Sequence, residues 1–154
     1  MKWLGRESGI VTAVSFSHDG KFIASGYGTL GALSGEVRLW DAHTGALNQT
    51  LTDHEHGVSS ALFSPNGKLI ASCGADASVR LWEVGGARLL ATLMVLPGAG
   101  MDVASNEWIT FTPDGHYTGS TEARQFIRWR TGNIILPAET AQSRLPHSRH
   151  ILRM

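Results

Sequence analysis

The residues of this chain that could do chemistry lie in three places. Asp53 to Gly57 reads Asp-His-Glu-His-Gly, with His54 and His56 two apart and Glu55 between them. Those are donors suited to a divalent metal, but no third ligand stands nearby in sequence, so neither a metal nor another cofactor is expected. Residues 26–31 read Gly-Tyr-Gly-Thr-Leu-Gly, formally the glycine pattern that cradles a dinucleotide pyrophosphate. That use requires a helix N-terminus immediately after the glycines, whereas here the sequence returns to a strand pattern. A rim loop is expected instead. The single cysteine, Cys73, rules out an intramolecular disulfide and sits in an apolar run, where cysteine behaves as a small inert hydrophobe. No nucleophile, base and acid converge in the sequence, so the chain is expected not to be an enzyme.

The bulk numbers narrow the partners. Thirteen basic residues balance thirteen acidic ones, without the basic excess of a nucleic-acid or membrane-surface binder. Neither nucleic acid nor membrane is therefore an expected partner. The apolar run Leu89–Leu96 is too short to span a bilayer. No apolar segment follows Lys2 in the manner of a secretory signal, and the expected compartment is the cytoplasm. The C-terminal residues 141–154 carry Arg144, Arg149 and Arg153 and are expected as a solvated tail.

What positions these residues is a repeat. Val11–Gly26 aligns without a gap on Val58–Cys73, a period of 47. A weaker copy, Glu107–Ser120, follows, and the copies run on to Trp40, Trp82 and Trp129. One copy reads as four strands. Val-Ser-Ser-Ala-Leu-Phe-Ser precedes the turn signal Pro-Asn-Gly-Lys, then come Lys-Leu-Ile-Ala-Ser-Cys and Ser-Val-Arg-Leu-Trp-Glu, and Ala87–Val95 completes the set. Leu89–Leu96 alone has enough apolar character for a helix, but its place in the period predicts a strand. Eighteen glycines suit a chain with many tight turns.

A period in the forties whose third strand ends in Trp-Asp or Trp-Glu resembles the WD-repeat β-propellers. The resemblance covers roughly residues 4–140. It implies an all-β chain of about three four-stranded blades, near residues 6–53, 54–98 and 99–140. The third copy is similar to the closing blade of bacterial WD-repeat proteins, some of which carry a caspase-like protease domain. In such families a polar tetrad ties the strands of a blade together, and His54, Ser72, Asp76 and Trp82 match it in the second copy. The first copy has Ser25 and Trp40, with Glu7 in the His slot and no Asp in place. The third has Ser120 and Trp129, with Met101–Asp102 near the His slot and Glu122 near the Asp slot. These residues are expected to be structural.

Closed propellers have about 4–8 blades, so three blades make an arc. Lys2–Gly5 aligns on Gln49–Thr52, the end of a fourth strand, as though the chain began inside a preceding blade. Two arrangements fit: part of a longer propeller, or a ring closed by association of copies. The resemblance implies a non-catalytic scaffold that holds a protein or peptide on its rim. The rim positions are Thr12, Ser59 and Glu107 at first-strand entrances, with Tyr27 and Leu30 in a loop five residues longer than its counterpart. An alternative is a regulatory segment of a larger enzyme such as a caspase-like protease.

Overall fold

The computed structural model describes residues 9–28, 34–96, 107–120 and 123, and the strand backbones of 128–131, 134–137 and 150–152. The chain divides into two compact units, Met1–Thr92 and Leu93–Met154. All regular structure of any length among the described residues is β, and none of it is a helix long and apolar enough to cross a membrane.

The first unit opens with β1 (Val11–Phe16), β2 (Phe22–Tyr27), β3 (Gly35–Asp41) and β4 (Leu47–His54), an antiparallel meander in chain order. The next four strands repeat it: β5 (Val58–Phe63), β6 (Leu69–Gly74), β7 (Ser78–Glu83) and β8 (Arg88–Val95). Leu89–Val95 is thus strand, as its place in the period predicts. Register is the same in both sheets, with Ser25 opposite Arg38 in one and Ser72 opposite Arg80 in the other.

Side chains lock the first turn of each sheet. Between β1 and β2, the Asp19 carboxylate accepts from the Ser17 hydroxyl at 2.8 Å and from the Lys21 N–H at 3.1 Å. The Ser17 oxygen in turn accepts the Phe22 N–H at 2.9 Å. Asn66, Ser64 and Leu69 reproduce the set between β5 and β6, at 2.7 and 3.0 Å. The following residue needs a left-handed backbone, and it is glycine each time: Gly20 at φ 70° and Gly67 at φ 68°.

The core lies between the two sheets. Ala24, Val37, Leu39 and Leu51 of the first meet Val58, Ala61, Ile70 and Trp82 of the second, all buried. Close approach is achieved by omitting side chains. A Cβ on Gly35 would stand 2.2 Å from the His56 carbonyl oxygen, and one on Gly26 would stand 2.8 Å from Val58 Cγ1. The Thr12 hydroxyl lies against the carbonyls of Gly26 and Val58, one in each sheet.

In the second unit β9 (Trp108–Phe111) and β10 (Tyr117–Gly119) form a hairpin beside the last residues of β8, and the Leu96 N–H donates to the Glu107 carbonyl at 2.9 Å. Met94, Leu96, Phe111 and Tyr117 pack around buried Ile109 and Ala123. A separate sheet has the order β12 (Ile134–Pro137), β11 (Arg128–Thr131), β13 (His150–Leu152). The C-terminal segment, expected to be only a solvated tail, therefore supplies a strand, with Trp129 opposite Ile151. Its apolar pair Ile151–Leu152 gives the edge of β11 a partner, which a purely basic tail would not.

Candidate functional site

The second sheet brings His54, Ser72, Asp76 and Trp82 together. His54 ends β4, Ser72 lies in β6, Asp76 in the β6–β7 turn and Trp82 in β7. His54 Nδ1 lies 3.0 and 3.1 Å from the two Asp76 oxygens, and Nε2 lies 2.8 Å from Ser72 Oγ. Trp82 Nε1 donates to the same Ser72 oxygen at 2.8 Å. The partners dictate the tautomer: Nδ1–H donates to the carboxylate, Nε2 accepts the Ser72 hydroxyl, and that hydroxyl accepts the indole N–H. Every polar atom in the chain has its complement.

The electrostatics follow from enclosure. Burial drives the His54 pKa below its usual 6.5 despite the pull of Asp76, so the imidazole is neutral near pH 7. Burial also works against the charged form of Asp76, but hydrogen bonds from Ser78, His54 and the Glu55 N–H outweigh it and bring the pKa to about 2. Both groups thus hold one protonation state across the neutral range.

A fifth member escaped the sequence reading. Arg80, opposite Ser72 on β7, is wholly buried. Its guanidinium reaches Asp76 at 3.4 Å and the half-exposed Asp53, and its Nε donates to Ser78 Oγ at 3.3 Å. A buried cation requires such paired anions, because its desolvation is otherwise uncompensated. The available signal was the refrain Val-Arg-Leu-Trp, which places Arg38 and Arg80 two residues before Trp40 and Trp82, on the same strand face as the tryptophan.

Serine, histidine and aspartate joined in this order have the connectivity of a hydrolytic triad. Ser72 Oγ, however, is enclosed and already accepts the Trp82 N–H, so no substrate carbonyl can approach it. With both His54 nitrogens committed, the Asp-His-Glu-His stretch offers a metal only exposed His56 and Glu55. Among the described residues no group of three or more His, Cys, Asp or Glu side chains converges. The cluster ties β4, β6 and β7 together.

The first sheet keeps half of it. Trp40 Nε1 donates to Ser25 Oγ at 2.7 Å, and Glu36 takes the place of the missing partners by accepting from Arg38 Nε at 2.6 Å. The Arg38 guanidinium sits 4.6 Å from the centre of the Tyr27 ring. Glu7, Met101–Asp102 and Glu122 lie outside the described residues, as does the Trp129 side chain.

The family model described as WD domain, G-beta repeat matches residues 2–41 and 45–83. The chain belongs to the WD40 family. Similar proteins include nuclear distribution protein nudF of Aspergillus niger, 34% identical over 60% of this chain and 20% of its own length. The periodic tryptophan protein 2 homolog of Schizosaccharomyces pombe is 37% identical over 52% of this chain and 9% of its own. The target of rapamycin complex subunit wat1 of the same yeast is 27% identical over 93% of this chain and 43% of its own. This WD40 chain thus spans less than half the length of each of these curated relatives. The crystal structure of the Myceliophteria thermophila Cps50 (Swd1) beta-propeller domain is similar over 95% of this chain and 40% of that one, at 18% identity and a TM-score of 0.49. These relatives are eukaryotic, and the resemblance of the third copy to bacterial closing blades receives no support from them.

WD40 repeats are in general protein-interaction scaffolds, which directs attention to the rim. Ser59 is exposed at the start of β5, its hydroxyl donating to the Cys73 carbonyl at 3.2 Å. Thr12 occupies the matching place in β1, but its hydroxyl is taken up between the sheets. Tyr27 is half-buried beneath Arg38. Glu107, in the second unit, accepts from the Ser120 hydroxyl. Leu30 lies outside the described residues.

Proposed function

We propose that this WD40 chain is a non-catalytic scaffold that holds a protein or peptide on its rim. One observation carries the reading: the polar side chains with the connectivity of a reactive centre are consumed by one another inside the sheets. Ser59, by contrast, stands exposed at a first-strand entrance. Partner recognition then falls to rim positions Thr12, Tyr27, Leu30, Ser59 and Glu107, with Ser59 and Tyr27 supplying a hydrogen-bonding group and an aromatic anchor. The test is photo-crosslinking from a residue beside Ser59 in native extract, with identification of the captured protein and titration of the purified pair. Ser59→Asp and Tyr27→Ala should weaken that affinity at least tenfold while leaving the thermal transition in place. Affinity unchanged in both variants would overturn the rim assignment.

A further inference from the structure

The first unit exposes both halves of an interface that it also makes internally. The internal interface joins the back of the first sheet, Ala24, Val37 and Leu39, to the front of the second, Val58, Ala61 and Ile70, and all six residues are buried. Translating by the repeat gives the equivalent residues. On the front of the first sheet they are Val11, Val14 and Ile23, with Phe16 standing for Phe63. On the back of the second they are Ala71, Val79 and Leu81, with Leu62 standing for Ser15.

The chemistry is conserved between the copies while the burial is reversed. Val14 and Phe16 are 61% and 64% exposed, whereas Ala61 is buried and Phe63 packs against the core. Leu62 and Val79 are 59% and 40% exposed, whereas Val37 is buried. Cross-strand pairing puts each set on one face: Val14 stands opposite Ser25 and Phe16 opposite Ile23, while Leu62 stands opposite Ala71 and Ala71 opposite Leu81. Apolar side chains gathered on a sheet face mark an interaction surface.

We infer that the front of the first sheet, centred on Val14 and Phe16, docks the back of the second sheet, centred on Leu62 and Val79, of another copy of this chain. A second copy is the occupant the page specifies, because it presents the Ala, Val and Leu side chains that already cover the equivalent front face. The contact is head-to-tail: each copy offers one front and one back, so association closes a ring or propagates. One position departs from the internal pattern. Gly26, whose missing Cβ admits Val58, is Cys73 in the second sheet, so the docked copy stands slightly farther off at that corner.

The experiment uses the full chain and two single-face variants, Phe16→Asp and Val79→Asp, both at exposed positions. Sedimentation equilibrium should give a mass above the monomer for the parent, and the monomer mass for either variant alone. A 1:1 mixture should recover a 1:1 heterodimer and nothing larger, since one good front and one good back remain. Circular dichroism spectra and melting curves matching the parent's establish that the variants are folded, and Val14→Asp with Leu62→Asp repeats the design if either is not. A monomeric parent at 100 micromolar overturns the inference. So does loss of association in Phe16→Asp with retention in Val79→Asp, which would mean front-to-front pairing. A mixture that stays monomeric overturns it as well. None of these outcomes depends on what the rim binds.

Discussion

His54 and Asp76, 22 residues apart in the chain, share a hydrogen bond of 3.0 Å from imidazole Nδ1 to carboxylate Oδ2, and both side chains are shut off from water. The bond fixes the tautomer that lets Nε2 take the Ser72 hydroxyl. It also gives the buried Arg80 one of its two anions. Replacing Asp76 by Ala removes both roles, leaving an orphaned N–H and an undercompensated cation. We expect a loss of about 2–4 kcal/mol, read from urea unfolding, with Asp76→Asn costing less. A midpoint shift below about 0.5 kcal/mol equivalent would show that the cluster does not hold the sheet.

Arg80 is more demanding than a point charge. Its Nε serves Ser78 while the guanidinium nitrogens serve Asp53 and Asp76. Lysine cannot reproduce that fork, so Arg80→Lys should destabilise by about 1–3 kcal/mol, although it keeps the charge. Equal melting temperatures for the two proteins would refute the forked role.

Acid should weaken the fold in two stages. The His54 pKa is lowered by burial, so the unfolded chain binds its proton first and stability falls as the pH drops below 6.5. Asp76 titrates from 3.8 unfolded to about 2 folded, and its contribution is complete above 3.8 and lost on the way to 2. That second stage amounts to about 1–2 kcal/mol. Unfolding free energies at pH 8, 5.5 and 3 should decline in that order. His54→Gln should flatten the step between pH 8 and 5.5, and persistence of that step would assign it elsewhere.

Two glycines should respond oppositely to substitution. Gly35→Ala drives a Cβ onto the His56 carbonyl, where backbone must move, and should cost about 2 kcal/mol or more. Gly67 has a left-handed backbone but open space around it, so Gly67→Asn should stay within about 1 kcal/mol. Thermal melts of the two variants check the contrast.

Much of this architecture could be read from the chain because its determinants are local. The Ser-x-Asn-Gly and Ser-x-Asp-Gly turns contain their own hydrogen-bond partners, and the 47-residue offset set the strand register before any packing was considered. His54, Ser72, Asp76 and Trp82 came from a spacing shared with other repeats. Arg80 did not, because an arginine in an alternating strand reads as solvent-facing. The anion that reverses this reading, Asp53, lies 27 residues upstream. The pairing of β13 with β11 was hidden for a related reason: it joins Ile151 to Trp129 across a long intervening segment with no turn signature between them.

The eight buried residues of the main core divide evenly, four from each sheet. Neither meander possesses an interior of its own; each supplies only one wall. In nearest-neighbour terms the individual repeat is unstable and the coupling between repeats is the whole source of order. The two sheets therefore melt in a single cooperative step, and a cut in the connection at Glu55 or His56 should unfold both halves rather than release one intact.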